Sequence, residues 1–321
     1  MRTTIILLAI AIGLLLHSCQ SATGTAAGFL TGAKNDSNTI VCPPGSSKLD
    51  IAAIERITGM KGVEKNGEYK ITVPQNDLNV VVDGFKIIPA MGLGSWACFI
   101  PCRDSAMVMG DIILTETDLA PVQQEVIRQG FAITAIHNHF VREHPRVMYM
   151  HIDGKGPVVK LAGSVKAIFG KVKEVRGHDP KESKADSVSN TLPIARLDAV
   201  IDQKGELSKG VYKYTIGRPD VPLQEHGIPV SSFAGFNTWA AWQGTPEHAA
   251  VAGDFTMLEN EVEPVIRALV QHGIEVVAVH NHMVQEKPHV FFLHYWGVGP
   301  AGKLAEGLKA ALDQTGRKQT H

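Results

Sequence analysis

The chain contains one histidine-rich segment twice, and this repetition decides the fold. Residues 135–156 read AIHNHFVREHPRVMYMHIDGKG, and residues 278–299 read AVHNHMVQEKPHVFFLHYWGVG. The offset of 143 residues between the two segments also aligns residues 49–167 with residues 192–310 without a gap. A unit of roughly 120 residues is a common domain size, so we predict a duplicated domain and not merely a repeated motif.

Composition and the repeat together divide the chain into five segments. The total of 321 residues suits two domains, and 44% hydrophobic residues suffice for two cores. We assign residues 1–19 to a lipoprotein signal peptide, 20–47 to a flexible tether, 48–170 to repeat domain 1, 171–191 to a charged linker and 192–315 to repeat domain 2.

The same coarse order of elements is predicted for each copy. An amphipathic helix is followed by short strands, a strong helix that ends at Gly130 or Gly273, two strands around the histidine-rich turn, and a last helix after a Gly-Pro pair. We expect Asn260 to cap the strong helix of the second copy, with Glu263 in a capping box. Strands and helices do not alternate regularly, so the predicted class is α+β: two homologous copies, each an antiparallel sheet with helices packed on it, arranged as a pseudo-symmetric pair.

The N-terminus is typical of an export signal. Arg2 precedes an apolar run over residues 5–16 that is too short for an ordinary membrane span. The four residues that end at Cys19 resemble a lipobox, so we expect Cys19 to be lipidated and to anchor the protein to the membrane on its extracytoplasmic side, in the periplasm or at the cell surface. A cleaved signal peptide without a lipid is the alternative.

Charge and cysteine usage limit the partners. The net charge of −1 provides no basic surface for nucleic acid, so the expected partners are the membrane and a small-molecule or envelope ligand. Three cysteines follow Cys19, and an oxidising compartment favours one structural disulfide and one free thiol among Cys42, Cys98 and Cys102. Their pairing is open.

Histidines are the chemically active residues that the two copies keep in register. His137 and His139 alternate along one strand and therefore share a face, and a hairpin would bring His151 beside them. The second copy repeats the pattern with His280, His282 and His294, whereas neighbours such as Arg146 and its counterpart His289 differ.

Three imidazoles with a carboxylate suit a divalent transition metal, zinc first, with manganese, iron and copper also compatible. We predict that His137, His139 and His151 bind one ion, and that His280, His282 and His294 bind a second. Glu143 and Glu286 lie in or near the two turns and are predicted to be general bases or further ligands.

Two further pairs of residues stand near these strands. Asp111 and Asp254 each follow a glycine, and they either orient a histidine from behind or cap a turn. Most aromatic side chains are expected in the core, with Tyr295 and Trp296 as the candidates for ligand contact.

Residues 48–315 resemble the LppY/LpqO family of bacterial lipoproteins. The resemblance is carried by GSWACF, AMVMGDIIL and the histidine-rich segment in the first copy, and by their counterparts in the second. That family is a domain of unknown function, so the resemblance implies a lipoprotein and the duplicated boundaries but no reaction. Cys98 and Cys102 depart from the expected family pattern near Trp96.

Three functions are compatible with these residues. The first is an extracytoplasmic, lipid-anchored metal-binding protein that acts as a metal-dependent hydrolase on a cell-envelope component. The second is a non-catalytic protein that binds a metal or an envelope ligand. The third is a structural duplicate whose histidines only connect the sheet, and the sequence does not decide whether the protein is an enzyme.

Overall fold

The computed structural model describes residues 48–180 and 186–316. The predicted signal peptide and tether, with Cys19 and Cys42, lie outside the described residues, as do residues 181–185 of the predicted linker. No helix in the described ranges combines the length and the apolar character needed to span a membrane.

The first copy forms an antiparallel sheet with helices on one face. Its elements are α1 (Ile51–Thr58), β1 (Gly62–Lys65), β2 (Glu68–Pro74), β3 (Val81–Val82), β4 (Phe85–Lys86), a 3-10 turn (Pro89–Met91), β5 (Gly94–Cys102), β6 (Ser105–Thr115), α2 (Leu119–Arg128), β7 (Ala132–His137), β8 (Val147–Gly156) and α3 (Val158–Arg176). Six strands pair in the order β1-β2-β5-β6-β8-β7, and β3 with β4 forms a separate hairpin.

The second copy repeats this arrangement. Its elements are α4 (Ile194–Ile201), β9 (Glu206–Ser208), β10 (Val211–Gly217), β11 (Gln224–Glu225), β12 (Ile228–Pro229), β13 (Asn237–Gly244), β14 (Ala249–Leu258), α5 (Glu259–Gln271), β15 (Glu275–His280), β16 (Val290–Gly299) and α6 (Ala301–Leu312). The sheet order β9-β10-β13-β14-β16-β15 mirrors the first sheet, and β11 with β12 is the second hairpin. The predicted α+β class with two homologous copies is confirmed.

Helix ends follow from capping chemistry. Asp50 accepts a hydrogen bond from the Ala53 backbone N–H at 2.9 Å, and Gly59 adopts the left-handed conformation that ends α1. The second copy differs from expectation, because α5 begins at Glu259 and not after Asn260. The N-cap is Leu258, two residues before the predicted Asn260. The Glu261 side chain accepts a hydrogen bond of 2.8 Å from the Leu258 backbone N–H and so satisfies this donor at the start of the helix.

Each sheet is covered on both faces. One face packs against the helices of its own copy, as in the core of Ile71, Val108 and Leu161. The other face packs in clusters that mix the two copies, such as Tyr149 with Trp296. Burial on both faces explains why the central strands are almost continuously buried.

The last helix of the first copy extends six residues into the segment predicted to be a linker. Arg176, its final residue, donates to the Asp118 carboxylate, to Gln75 and to the Ile113 carbonyl, and its side chain is buried. This part of the segment therefore belongs to the first domain.

The described cysteines differ in state. Cys102 is disulfide-bonded, whereas Cys98 is a free thiol at the centre of strand β5. Burial raises the pKa of the Cys98 thiol to about 12, which keeps it protonated and unreactive at neutral pH.

Candidate metal centre

Both histidine-rich segments begin with a strand that carries a bulge. The pairing of β7 with β8 shifts between Ile133 and Ala135, and that of β15 with β16 shifts between Val276 and Ala278. A bulge twists a strand and redirects the side chains that follow it. Each bulged strand ends at the first histidine of its pair, and the second histidine lies in the following loop. The sequence had predicted both histidines on the strand.

Strand register places a third histidine and an aspartate beside each pair. His151 lies opposite Ala135 on one side and opposite Asp111 on the other. In the second copy, His294 lies opposite Asp254 in the same way. The predicted hairpins therefore form, and in each copy they bring the third histidine, in the middle of its strand, beside the edge strand that ends at the first histidine.

The two copies then bring these histidines together. The six residues His137, His139, His151, His280, His282 and His294 form one group, which we call the histidine cluster. The three closest ring pairs between the copies have centroid separations of 3.9, 3.7 and 4.0 Å: His137 with His280, His139 with His294, and His151 with His282. A cross-copy hydrogen bond from the Thr134 hydroxyl to the His282 carbonyl, 2.7 Å long, holds the loops in this position.

The side chains that could hold a metal ion are drawn from both copies. Ligand atoms lie within 4.8 Å of one another in three groups at the cluster: His137, His139 and His294; His137, His151 and His280; and Asp254, His280 and His282. Two of these groups mix the copies. Among the described residues, neither single-copy triad that the sequence predicted forms such a group. Sequence reasoning found the six residues but divided them by copy.

The hydrogen bonds of the cluster fit a metal centre. The His151 Nδ1 lies 3.2 Å from the Gly110 carbonyl, and the His294 Nδ1 lies 3.0 Å from the Gly253 carbonyl. When one ring nitrogen donates its N–H to a carbonyl, the other nitrogen carries the free lone pair. Ligating histidines are usually held in this way.

Most of the remaining ring nitrogens, those of His282 excepted, are buried without a hydrogen-bond partner in the described part of the chain. Within the described residues, no hydrogen bond reaches Nε2 of His151 or His294, or either nitrogen of His137, His139 or His280. Buried polar atoms are normally satisfied, so a group of orphaned imidazole nitrogens is strong physical support for an absent ligand. The residues present therefore fit a transition metal.

Burial keeps these imidazoles neutral. Desolvation lowers the pKa of His151 and of His294 to about 3, and it lowers the pKa of the other four well below the ordinary range, reinforced by the neighbouring histidines. Neutral imidazole is the form that coordinates a metal.

Two buried aspartates lie beside the cluster. The Asp254 Oδ2 is 3.3 Å from the His282 Nε2, and the Asp111 Oδ2 is 3.8 Å from the His139 Nε2. Burial raises the pKa of Asp111 to about 7, although the nearby Lys70 opposes this effect. The sequence left open whether these aspartates orient a histidine or cap a turn, and these contacts favour the first role.

The two glutamates predicted as bases lie elsewhere. Within the described residues, neither Glu143 nor Glu286 belongs to a group that could share an ion with the histidine cluster. Glu143 is buried 3.5 Å from the Asn138 side-chain amide, and Glu286 contacts His289 at 2.5 Å. The loop after each histidine pair carries the carboxylate away from the strand end, which sequence spacing alone could not show.

A cavity of about 600 Å³ opens onto the cluster and is lined by both copies. We call it the Lys–Trp cavity, because Lys70 lies 3.9 Å from the ring centroid of Trp96, and Lys213 lies 4.2 Å from that of Trp239. These pairs are related by the same offset of 143 residues, a signal that the sequence held but that sequence reasoning did not use.

The cavity also contains four of the clustered histidines and both aspartates, whereas Tyr295 and Trp296 do not line it. Tyr295 is fully buried and donates to the Trp239 carbonyl, and the Trp296 indole N–H donates to Asp83. Their predicted contact with a ligand in this cavity is not supported, because both side chains are committed to the core.

The arrangement could hold a metal ion beside a cavity. Imidazole and carboxylate donors suit zinc, iron, manganese or copper, and the adjoining cavity is of ligand size. Two ammonium groups lie above indole rings at this cavity, in cation–π geometry.

Comparison with known proteins gives a family but no activity. No curated protein matches the chain. Two solved structures are similar in part: EtuB from Clostridium kluyveri, with 8% identity over 79% of this chain and 89% of that chain and a TM-score of 0.18, and the trimeric bacterial microcompartment shell protein PduB, with 9% identity over 79% and 90% and a TM-score of 0.19. TM-scores this low do not indicate a shared fold.

A family model matches each copy separately, over residues 52–171 and over residues 195–314. These ranges cover more than half of the chain and coincide with the two structural repeats. The chain therefore belongs to the family described as Domain of Unknown Function DUF1259, with the domain present twice.

Proposed function

We propose that the protein binds a transition metal between its two copies and uses that centre to hydrolyse an anionic substrate held in the Lys–Trp cavity. The observation that carries this proposal is the group of orphaned imidazole nitrogens that borders a cavity of about 600 Å³. A structural metal site is normally closed by four protein ligands, whereas a catalytic site adjoins space for water and substrate.

A bound divalent ion would supply Lewis acidity, lowering the pKa of water and polarising a carbonyl or phosphoryl group. The chain's own residues have separate tasks. His137, His139 and His294 provide one ligand set, and the carbonyl behind His294 fixes its tautomer. Asp111 lines the cavity beside His139, where it can accept a proton from water.

The Lys–Trp cavity would determine the substrate class. Burial lowers the pKa of Lys213 to about 8, so this amine is mostly charged near neutral pH. Burial also lowers the pKa of Lys70, and the carboxylates of Asp111 and Glu68 oppose that effect. An anionic carboxylate or phosphate lies naturally between two ammonium groups, and the indole faces of Trp96 and Trp239 can stack on a ring.

The N-terminal sequence supports a location for this activity. The apolar run before Cys19 and the resemblance to LppY/LpqO lipoproteins favour export and lipid anchoring, so we infer an envelope component as the substrate. A non-catalytic metal- or ligand-binding protein is the second candidate, favoured by the deep burial of all six histidines.

The test uses tag-free protein purified from the exported fraction. Its metal content would be measured first, and hydrolysis of chromogenic carboxylate esters and phosphate esters would then be assayed with and without a chelator. We expect bound transition metal and chelator-sensitive hydrolysis that falls strongly in Asp111→Asn. Metal without turnover would favour the binding protein, and absence of metal would contradict the hydrolase.

The cavity residues have their own control. Lys70→Met with Lys213→Met should raise KM for anionic substrates while leaving KM for neutral analogues nearly unchanged. An equal effect on both substrate types would contradict the assignment of the cavity to an anion.

A further inference from the structure

A second group of buried acidic side chains lies apart from the histidine cluster and shares no residue with it. Asp153 on β8, Glu225 at the end of β11 and His226 in the following turn place their ligand atoms within 4.8 Å of one another. The His226 Nε2 lies 2.6 Å from the Asp153 Oδ2 and 3.5 Å from the Glu225 Oε1. We call these three residues the Asp-Glu-His cluster.

The group joins the two copies. The hairpin of the second copy reaches the sheet of the first, because its turn carries His226 to Asp153. Backbone hydrogen bonds of 2.9 and 2.8 Å between Gln224 and Lys287 tie the same hairpin to the loop that carries Glu286. A third carboxylate is thereby held near the cluster. Burial raises the pKa of Glu225 to about 7, and the charges of Asp153 and Glu286 add to this effect.

Several carboxylate oxygens of this group are buried without a hydrogen-bond partner in the part of the chain that the structure describes. Glu225 is completely buried, and neither of its carboxylate oxygens has a hydrogen bond of good geometry within the described residues, with the Gln285 backbone N–H as its one nearby backbone donor. The Asp153 Oδ1 and the Glu286 Oε2 are orphaned in the same sense. Burying several carboxylates with one imidazole between them is unfavourable unless further positive charge is supplied.

The equivalent position of the first copy provides an internal comparison. There Val82 replaces Glu225, Asp83 replaces His226 and Trp296 replaces Asp153. Asp83 is the carboxylate at that position, and it is paired with Arg142 at 2.9 and 3.0 Å and with the Trp296 indole N–H at 2.9 Å. Charge is therefore balanced by an arginine in one copy, and no arginine contacts the cluster in the other among the described residues.

We propose that Asp153, Glu225 and His226 bind a divalent cation at the copy interface, with Glu286 as a further carboxylate beside it. Two carboxylates and an imidazole suit manganese or zinc, because oxygen donors favour the former and nitrogen donors accept the latter. The cation would supply the charge that Arg142 supplies at the equivalent position, and it would stabilise the interface. Binding would release the proton that the His226 Nε2 shares with Asp153.

The experiment measures Mn²⁺ binding to the full, chelator-treated chain by calorimetry and by electron paramagnetic resonance. Glu225→Gln should bind about one ion per chain fewer than the unchanged protein and lose the corresponding part of the Mn²⁺-induced rise in Tm. Asp153→Asn should behave alike. Asp83→Asn, at the equivalent position, is the matched control and should leave the number of bound ions unchanged.

A second set of variants distinguishes ions bound at the histidine cluster from the ion proposed at the Asp-Glu-His cluster. In His139→Ala with His282→Ala, the Asp-Glu-His cluster should keep its ion, so loss of that ion on adding Glu225→Gln assigns it independently of the proposed hydrolase. Unchanged ion number in both Glu225→Gln and Asp153→Asn would overturn the proposal. A raised Tm of chelated Glu225→Gln without any change in Mn²⁺ binding would show that a proton, and not a cation, neutralises Glu225.

Discussion

The imidazole rings of His137 and His280 are stacked across the boundary between the copies, with centroids 3.9 Å apart and planes 12° from parallel. These residues are related by the offset of 143, so the pseudo-symmetry axis passes close to this contact. The other four histidines of the cluster lie around these two rings. The duplicated domain has thus produced one group of histidines to which both copies contribute.

Shared ligands should make losses at one ion non-additive. His139 and His294 belong to different copies but to one ligand group, so His139→Ala and His294→Ala should each release the same ion. The double variant should lose no more metal than either single variant, as measured by elemental analysis of protein at fixed zinc activity. His248→Ala, at an exposed position, is the control and should lose none.

Separate single-copy triads would give a different result. In that arrangement the two histidines serve different ions, and the double variant would lose twice as much metal as either single variant.

Acid should destabilise the metal-free protein. The pKa values of His151 and His294 in the folded chain are about 3, below the ordinary value of 6.5, because both rings are buried. The unfolded chain therefore binds protons first as the pH falls below about 6.5, and stability present above that pH is lost towards pH 3. Each of the two should contribute about 1.4 kcal/mol per pH unit within that window.

Urea denaturation of chelated protein at several pH values measures this slope. His151→Gln with His294→Gln should flatten it, since the amide does not titrate. An unchanged slope in this variant would show that other groups cause the acid sensitivity.

Gly92 should resist substitution by any side chain. Its φ of +100° disfavours other residues, and an added Cβ would lie 3.1 Å from the Trp239 ring of the other copy and 3.4 Å from His139. We expect Gly92→Ala to lower the free energy of unfolding by about 1–3 kcal/mol. Gly130→Ala is the matched control, because its φ is +77° with nothing within 4 Å, so it tests backbone strain without the contact. Equal losses would show that Trp239 exerts no steric limit.

Arg176 should be essential for the first domain. Its buried guanidinium balances the buried Asp77 and Asp118, and removing one partner of a buried pair typically costs about 3–5 kcal/mol. Arg176→Ala should show such a loss in chemical denaturation. Arg267→Ala, which breaks an exposed pair with Glu263, should cost about 1 kcal/mol or less. A small loss for Arg176→Ala would show that this residue does not stabilise the first domain and belongs to the linker, as the sequence predicted.

Sequence patterns predicted the duplication, the hairpins and the six histidines, because periodicity and a constant offset are local properties of the chain. The same patterns could not show that His294 approaches His139, since that contact depends on how two folded copies dock. Glu143 and Glu286 illustrate the opposite case: their spacing from the histidines resembled a metal motif, but the loop directs them elsewhere. Lys70 and Lys213 kept the offset and were overlooked, because a lysine in a strand normally indicates an exposed edge.

Arg176 and Arg218 show a further limit. Arg218 donates to the Thr256 carbonyl and to Glu261, and Arg176 donates to the equivalent Ile113 carbonyl and to Asp118. The two copies place a guanidinium at one structural position from unrelated points in the sequence. An alignment by offset cannot detect this equivalence, because it exists only in the folded chain.

Anomalous diffraction at the zinc edge, from crystals of zinc-loaded protein, tests the central claim most directly. A shared centre predicts an anomalous peak about 2.0–2.1 Å from nitrogen atoms of both copies, with His137, His139 and His294 among its ligands. A peak bound only by His137, His139 and His151, or no peak within the histidine cluster, would contradict it.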